Sequence, residues 1–344
     1  MAVDGLGGPG SGSEPRISAA ELARSPLWFP LDCEKPDGVR LVHLDEAAYR
    51  AASFLDQRIL KSNPRQGFCA AAVLTQAASQ LAPAAHFIFH IGHVGSTLVS
   101  RLVGEDPRIF ALREPLLLRP HAMAGGSCPI PLAAVVALVS RTWRTEQFPV
   151  VKVSSFVSEI AGPVMDAAPR SRAILMYVPA PIYLRSIMAG PNSLAESRVL
   201  APSRLARLRR RLSPTRIPDP GSRGESIAMS WLCEMTALCQ AAAVFPGRVH
   251  WVEFERFLDD PRRGLAGVFT ALGMSPDERA IDAALRGPLM RQYSKAPEHA
   301  YDRELRRRVL AEADWEHRDE IGNGMRWLSR LAGGHRLIDR ALEL

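Results

Sequence analysis

The pattern of apolar residues along the chain first becomes regular at residue 86. Residues 86–91, HFIFHI, form a short and mostly apolar run that ends at a glycine, which is typical of a buried parallel strand. The sequence GHVGST follows directly, and Leu98, Leu102 and Val103 then recur at helical spacing until Gly104. This pattern predicts a strand, a glycine-rich loop and a helix in succession.

The same alternation returns further along the chain. It predicts three more strands, over residues 149–153, 172–178 and 249–252, and three more helices, over residues 155–167, 181–188 and 226–243. Strands that alternate with helices of this length predict a central, mainly parallel sheet with helices on both faces. We therefore expect a three-layer α/β fold that binds its ligand beyond the carboxyl ends of the strands.

Composition divides the chain into three parts. Residues 1–15 are rich in Gly, Ser and Pro, which predicts a disordered tail. Residues 16–83 form a mixed segment that we expect to pack on the core, with a short strand over 41–44 and helical spacing over 45–60. Residues 84–344 form the α/β part, with a basic helical insertion at about 196–223 and a helical C-terminal region.

The overall composition is that of an ordinary globular protein. Hydrophobic residues make up 47% and charged residues 23% of the 344 positions, which excludes disorder over most of the chain. The longest nearly unbroken apolar run, residues 130–139, is shorter than the ~20 residues of a membrane span, and the start of the chain does not resemble a secretory signal. We expect a cytoplasmic protein without a membrane span.

The cysteines are scattered and show no metal-binding or disulfide pattern. The five of them include no CxxC pair, which favours free thiols in a reducing compartment. His90 and His93 are three residues apart, but no third ligand is apparent, so no metal is expected.

Positive charge points to an anionic partner. The formal net charge is +7, which suits a nucleic acid, an acidic lipid or a phosphorylated small molecule. Eight arginines lie between positions 198 and 223 with leucines at helical spacing among them. Three interpretations fit this segment: an amphipathic helix with a solvated basic face, a lid over an anionic ligand, or a nucleic-acid surface. The segment has no aromatic residues for base stacking, so no nucleic acid is expected.

Residues 92–97, called the glycine loop below, have the composition of an anion-binding loop. Gly92 and Gly95 permit close approach of the backbone, and Ser96 and Thr97 add hydroxyl donors at the start of the helix, which suits a phosphate or sulfate. The alternative is a tight turn with Ser96 as helix cap. No Lys lies between residues 86 and 97, which disfavours an ATPase or kinase loop.

The segment FHIGHVGSTLVSRLV resembles the 5′-phosphosulfate loop of sulfotransferases, particularly bacterial members with the P-loop fold. Segments with the family's order follow: PRIFALREPLLL, VVKVSS, RAILMYVPAPIYLRS and WVEFERFLDDPRRGLAGVFTALGM. The resemblance covers roughly residues 86–275. It implies a P-loop fold, the cofactor PAPS (3′-phosphoadenylyl sulfate) and sulfuryl transfer to a hydroxyl or amine of an unidentified small-molecule acceptor.

The resemblance also implies roles for particular residues. The implied cofactor contacts are Gly92, His93, Val94, Gly95, Ser96 and Thr97 at the 5′ end, Ser186 at the 3′-phosphate, and Ser294 and Lys295 in a late loop. Glu114 stands at the position of a catalytic acidic residue and is our candidate general base. Lys152 stands at that of a basic residue near the transferring group, and His93 replaces the usual loop Lys or Arg.

Each catalytic assignment has a structural alternative. Glu114 is either a base or a surface or helix-capping residue, and the neighbouring Arg113 is a candidate partner for it or for an acidic acceptor. Lys152 is either a strand-end residue at the ligand edge or an exposed residue of an edge strand. His93 either carries a proton and replaces the usual cation, or only packs near the turn.

One departure from the family pattern concerns the 3′-phosphate. Val178 stands where the family has an Arg, and Arg185, Arg291 or Lys295 are the candidate replacements. Two other functions therefore stay open beside the sulfotransferase. These are a non-catalytic sulfotransferase-like protein that binds a nucleotide or another anion, and a P-loop nucleotide kinase.

Overall fold

The computed structural model describes residues 17–35, 37–123, 126–292 and 300–344. The predicted tail over residues 1–15 lies outside these ranges, as do Ser294 and Lys295. The N-terminal part contains, in order, α1 (Ala19–Arg24), β1 (Trp28–Lys35), β2 (Gly38–His43), α2 (Glu46–Ala51), a 3-10 helix (Gln57–Ser62), β3 (Gln66–Ala70) and α3 (Ala71–Ala78).

The middle part carries the alternation that the sequence predicts. Its elements are β4 (His86–His90), α4 (Ser96–Val103), β5 (Ile109–Arg113), a 3-10 helix (Leu116–Leu118), α5 (Arg119–Ala122), α6 (Leu132–Leu138), β6 (Phe148–Lys152), a 3-10 helix (Ser155–Ile160), α7 (Ala161–Ala167), β7 (Ala173–Tyr177), α8 (Ala180–Met188), α9 (Pro191–Leu212), α10 (Arg223–Val244) and β8 (Val249–Glu253).

The remaining part is helical, as expected. It consists of α11 (Phe254–Asp259), α12 (Pro261–Ala271), α13 (Glu278–Arg286), a 3-10 helix (Pro288–Arg291), α14 (Arg303–Glu316), α15 (Arg318–Leu331) and α16 (Arg336–Glu343).

A five-stranded parallel sheet forms the centre, in the order β5-β6-β4-β7-β8. Every residue of β4, β5 and β7 is buried, because helices cover both faces and the strands are apolar on both sides. Helices α4 and α12 pack on each other and on the sheet, and α10 packs on β4 together with α7. The predicted three-layer α/β P-loop architecture is confirmed.

The segment before residue 84 forms its own antiparallel sheet, β1-β2-β3. Its buried residues, such as Leu31 and Leu41, belong to the same hydrophobic core as Phe87 and Ile174 of the parallel sheet. Of this sheet the sequence predicted only the strand at 41–44, which lies largely within β2. The helical spacing over 45–60 is divided between α2 and the following 3-10 helix. The domain boundary at residue 83 stays a prediction.

Helix α10 is the most apolar long helix in the described residues. Its 22 residues are long and apolar enough to cross a bilayer, but 78% of its most apolar window is buried inside the fold. Packing in the core accounts for this composition equally well, so the absence of a membrane span stays a prediction.

Candidate active site

The strand order places a crevice beyond the carboxyl end of β4. From β4 the chain passes to β5 and β6 on one side of the sheet and later to β7 and β8 on the other side. The connections therefore diverge at β4, and such a switch point leaves an opening between the loops. A cavity of about 640 Å³ lies here, lined by the glycine loop and by residues from α8, α9 and α14.

The glycine loop lines this cavity and has an unusual backbone. Gly92, His93 and Gly95 have φ angles of 86°, 56° and 63°, in the left-handed region. Helix α4 then begins at Ser96, and its N-cap residue, Gly95, has no side chain to cap the first amides. Uncapped amides at a helix start carry partial positive charge and suit an anion.

Gly95 is required by close packing as well as by its backbone angle. A Cβ atom at this position would lie 2.0 Å from the ring of Phe254, which follows β8. Any larger residue here would push the ring or the loop aside. A substitution at Gly95 therefore tests folding of the loop rather than binding.

His90 holds the loop in place from the end of β4. Its Nδ1 accepts a hydrogen bond from the Gly92 amide at 3.0 Å, so Nε2 carries the proton donated to the carbonyl of Val153 at 2.8 Å. This ring joins the loop to the segment after β6 and accounts for the polar residue at the end of an apolar strand.

Two buried hydroxyls in the cavity wall point to a ligand. Thr97 Oγ1 and Ser186 Oγ are buried and have no hydrogen-bond partner in the part of the chain that the structure describes. Both residues line the cavity. An unsatisfied buried hydroxyl costs about 1–3 kcal/mol, so a bound acceptor atom at these positions removes a penalty.

Glu114 and Lys152 meet in the cavity as an ion pair. The pairing of β5 with β6 brings them together, because Arg113 at the end of β5 lies opposite Lys152 at the end of β6, and Glu114 follows Arg113. Lys152 Nζ binds Glu114 Oε1, and Glu114 Oε2 accepts hydrogen bonds from Ser154 at 3.1 Å and Arg119 at 3.3 Å. The carboxylate is held on both oxygens.

The surroundings keep Glu114 ionised. Burial by itself raises the pKa of this carboxyl, but the charge of Lys152, the hydrogen bond from Lys152 and the charge of Arg119 outweigh it and lower the pKa to about 2. With this pKa, Glu114 accepts a proton poorly while Lys152 stays in contact with it.

Two alternatives considered for this pair are wrong. Lys152 is not an exposed edge residue, because β6 lies between β5 and β4 and the side chain is 1% exposed. Arg113 does not pair with Glu114 or face the cavity. It is buried and donates to the carbonyls of Tyr49, Arg50 and Ala52 at 2.6, 2.8 and 2.7 Å.

His93 connects the glycine loop to α9. Its Nδ1 lies 3.4 Å from Ser193 Oγ, and its Nε2 lies 3.9 Å from a carboxylate oxygen of Glu196. All three residues line the cavity. The role of His93 as the loop cation stays a prediction.

The structure shows which of the arginines predicted to replace the family's Arg at position 178 line the cavity. Val178 is buried, and its carbonyl accepts a hydrogen bond from Trp231 at 2.9 Å. Arg185 pairs with Asp314 at 2.7 Å, and neither Arg185 nor Arg291 is among the described lining residues. Four cavity-lining arginines were not singled out from the sequence: Arg58, Arg119, Arg303 and Arg306.

The basic segment is internal only in part, because five of its eight arginines, those at positions 198, 209, 210, 216 and 223, are exposed. In α9, Arg204 and Arg207 are 4% and 5% exposed, and each donates to Glu234 of α10 at 2.9 Å. Glu159 takes further contacts from Arg207, Arg210 and Arg211. The solvated-face interpretation is therefore wrong for these inward arginines but holds for the exposed ones. Helix α9 forms a wall of the cavity, and its role as a lid stays a prediction.

The cavity thus brings together most of the predicted site residues. Gly92, His93, Val94, Gly95, Ser96, Thr97, Glu114, Lys152 and Ser186 all line it. Among the described residues, no group of three or more His, Cys, Asp or Glu side chains is placed to hold a metal ion. The chemistry available is anion binding by amides, hydroxyls and cations, beside one ionised carboxylate.

Comparison with known proteins gives structural likenesses only. No family model and no curated protein sequence matches the chain. The sulfotransferase domain of the curacin biosynthetic pathway is 14% identical with a TM-score of 0.43, covering 73% of this chain and 98% of that one. The sulfotransferase domain of the Synechococcus PCC 7002 olefin synthase is 15% identical with a TM-score of 0.41, covering 76% and 94%.

A mouse sulfotransferase complexed with PAP, the cofactor without its sulfuryl group, is 11% identical with a TM-score of 0.41, covering 78% of this chain and 93% of that one. These matches are all sulfotransferases, the family that the glycine loop resembles. With TM-scores below 0.5, they add nothing to what the site geometry supports.

Proposed function

We propose that the chain is a sulfotransferase that moves a sulfuryl group from PAPS to a hydroxyl or amine of a small acceptor. The observation that carries the proposal is the convergence, in one cavity, of an uncapped helix start, an unpartnered Thr97 hydroxyl and the Glu114–Lys152 pair. Sulfuryl transfer depends on positioning and on stabilising charge at the leaving phosphate, and this set of groups suits both needs.

The donor set fits the 5′ end of PAPS. The amides at the start of α4, with the hydroxyls of Ser96 and Thr97, would hold the phosphosulfate, and Ser186 would hold the 3′-phosphate. When bound, PAPS would supply the sulfuryl group and a phosphate leaving group. We further propose that Arg303 and Arg306 of α14 replace the cation that Val178 cannot supply, since both line the cavity. Arg303 is paired with Asp259 and Arg306 with Glu255, so the bound phosphate would compete with these carboxylates.

Lys152 and Glu114 would act in sequence. Lys152 is the main charge that lowers the pKa of Glu114. An anion that draws Lys152 Nζ toward itself would therefore raise the pKa of Glu114. The carboxylate would then accept the acceptor's proton, while Ser154 and Arg119 keep it oriented through Oε2.

Calorimetry and a transfer assay test the proposal. We expect micromolar binding of PAP, no binding of ATP with magnesium, and transfer of radiolabelled sulfate from PAPS to an acceptor in a panel of alcohols and amines. Glu114→Gln should lower the transfer rate by ~10²–10⁴-fold and change PAP affinity little. Absence of PAP binding would overturn the proposal.

A second candidate is a protein that binds a nucleotide or another anion without transfer. The closed Glu114–Lys152 pair and the uncharged Val178 favour it. PAP binding without sulfate transfer to any acceptor in the panel would support this candidate. Binding of ATP with magnesium, without PAP binding, would instead favour a nucleotide kinase.

A further inference from the structure

Two cysteines that are distant in sequence lie together outside the cavity. Cys33 lies in β1, and Cys128 lies in the segment between α5 and α6, 95 residues later. Both are half-buried and reduced, and their Sγ atoms are 3.9 Å apart. The proposed sulfuryl transfer uses neither of them.

Their surroundings differ in a way that gives the two sulfurs different chemistry. The contact with Cys33, the His121 side chain and the backbone of Ile130 favour the Cys128 thiolate and lower the pKa of Cys128 despite its burial. The same contact raises the pKa of Cys33, which keeps its proton. A stabilised thiolate is the form that reacts with oxidants.

We infer that Cys33 and Cys128 form an oxidisable dithiol that closes to a disulfide on exposure to a peroxide. This modification site is separate from the proposed function and does not depend on it. The observation that carries the inference is the short distance between the two sulfurs, and the different surroundings of the two thiols support it.

The chemistry balances with hydrogen peroxide as the oxidant. The Cys128 thiolate attacks one peroxide oxygen, the O–O bond breaks, and hydroxide leaves and takes up a proton to form water. The sulfur of Cys33 then attacks the sulfur of the Cys128 sulfenic acid, the S–O bond breaks, and a second water leaves. Two thiols and one peroxide give one disulfide and two waters, with two electrons passing from sulfur to oxygen.

Geometry singles out this pair among the cysteines. The sulfurs must close from 3.9 Å to the ~2.05 Å of a disulfide, a small movement for a residue outside a strand or helix. Cys69 of β3 and Cys33 of β1 both lie opposite Val39 of β2, on either side of it. Two strand spacings separate them, roughly 9.6 Å, which is beyond disulfide range. Cys69 is therefore a matched control in the same sheet.

The test counts thiols in the full chain before and after peroxide. In denaturant, the wild type should fall from five titratable thiols to three and return to five with dithiothreitol. Peptide mapping should find Cys33 joined to Cys128. The control Cys69→Ser should fall from four thiols to two.

Single variants assign the order of attack. Cys33→Ser should accumulate a sulfenic acid at Cys128 that dimedone traps, because the resolving thiol is gone. Cys128→Ser should form neither the adduct nor a disulfide. Retention of all five thiols in the wild type, a bond to Cys69, or dimedone labelling at Cys33 would overturn the inference. The wild-type map decides the question even where a variant folds poorly.

Discussion

Two buried hydroxyls of α4 can separate a role in ligand binding from a role in folding. Thr97 and Ser100 lie one helical turn apart on α4, and both hydroxyls are buried without a hydrogen-bond partner in the described residues. Only Thr97 lines the cavity. The pair therefore offers a test and its control on one helix.

Thr97→Val should weaken PAP binding about tenfold, because one hydrogen bond to a charged group contributes about 1.4 kcal/mol or more. It should leave stability unchanged or raise it, since the hydroxyl has no hydrogen-bond partner among the residues that the structure describes. Titration calorimetry and urea unfolding measure the two effects. Ser100→Ala should leave PAP affinity unchanged, and an equal loss of affinity in both variants would contradict the assignment.

The pKa of Glu114 predicts how stability depends on pH. The folded-state value of about 2 lies below the ordinary 4.5, so the stabilisation is present above pH 4.5 and is lost as the pH falls toward 2. At 1.36 kcal/mol per unit the difference is roughly 3 kcal/mol. Thermal unfolding from pH 6 to pH 3 should show a shallower loss in the double variant Glu114→Gln, Lys152→Met than in the wild type. Parallel curves would show that the pair does not titrate this way.

At the scale of elements, α9 shows which information the sequence carries and which it lacks. The arginines and leucines at helical spacing predict a helix, and α9 confirms it. Nothing in the local pattern shows that Glu234, about 30 residues later, pairs with Arg204 and Arg207, or that Glu159, 48 residues earlier, pairs with Arg207. Burial of a charge depends on a partner that only the tertiary fold supplies.

The buried ion pairs of Glu234 with Arg204 and Arg207 predict that a single substitution strongly destabilises the fold. Glu234→Gln leaves Arg204 and Arg207 without their shared carboxylate charge, so it should cost about 3–5 kcal/mol in the free energy of unfolding. Arg210 lies on the same helix but its side chain is 64% exposed, and Arg210→Gln should change stability by less than about 0.5–1 kcal/mol. Urea unfolding compares the two. Equal effects would show that the buried ion pairs do not anchor α9.

The dependence on local sequence patterns also explains which strands and site residues were predicted and which were missed. Strands β4, β6 and β7 were predictable because a strand buried on both faces is a short apolar run. Strand β3 was missed because it is half-exposed, and the buried β1 was missed because Pro30 and Asp32 interrupt its apolar run. A buried Lys152 was expected to meet an anion, and in the structure it meets Glu114. Arg119 and Arg306 were missed because no local motif marks them.

On the scale of the whole molecule, the burial of α10 has a measurable consequence. Helix α10 packs between α9, α15 and α16, so its apolar surface is not available to lipid. In flotation experiments with neutral phosphatidylcholine vesicles, the protein should stay in the lipid-free fraction. Anionic vesicles at low salt serve as a control, because the net charge of +7 can attract the protein electrostatically until salt screens it. Flotation with neutral vesicles would contradict the buried role of α10.

The contact between Gly95 and Phe254 links two parts of the chain that are 159 positions apart by their numbering. Because the phenyl ring occupies the space of a Cβ atom, neither position can change size independently. In an alignment of related sequences, a residue larger than glycine at 95 should be rare because of its left-handed backbone, and where it occurs it should accompany a smaller side chain at 254.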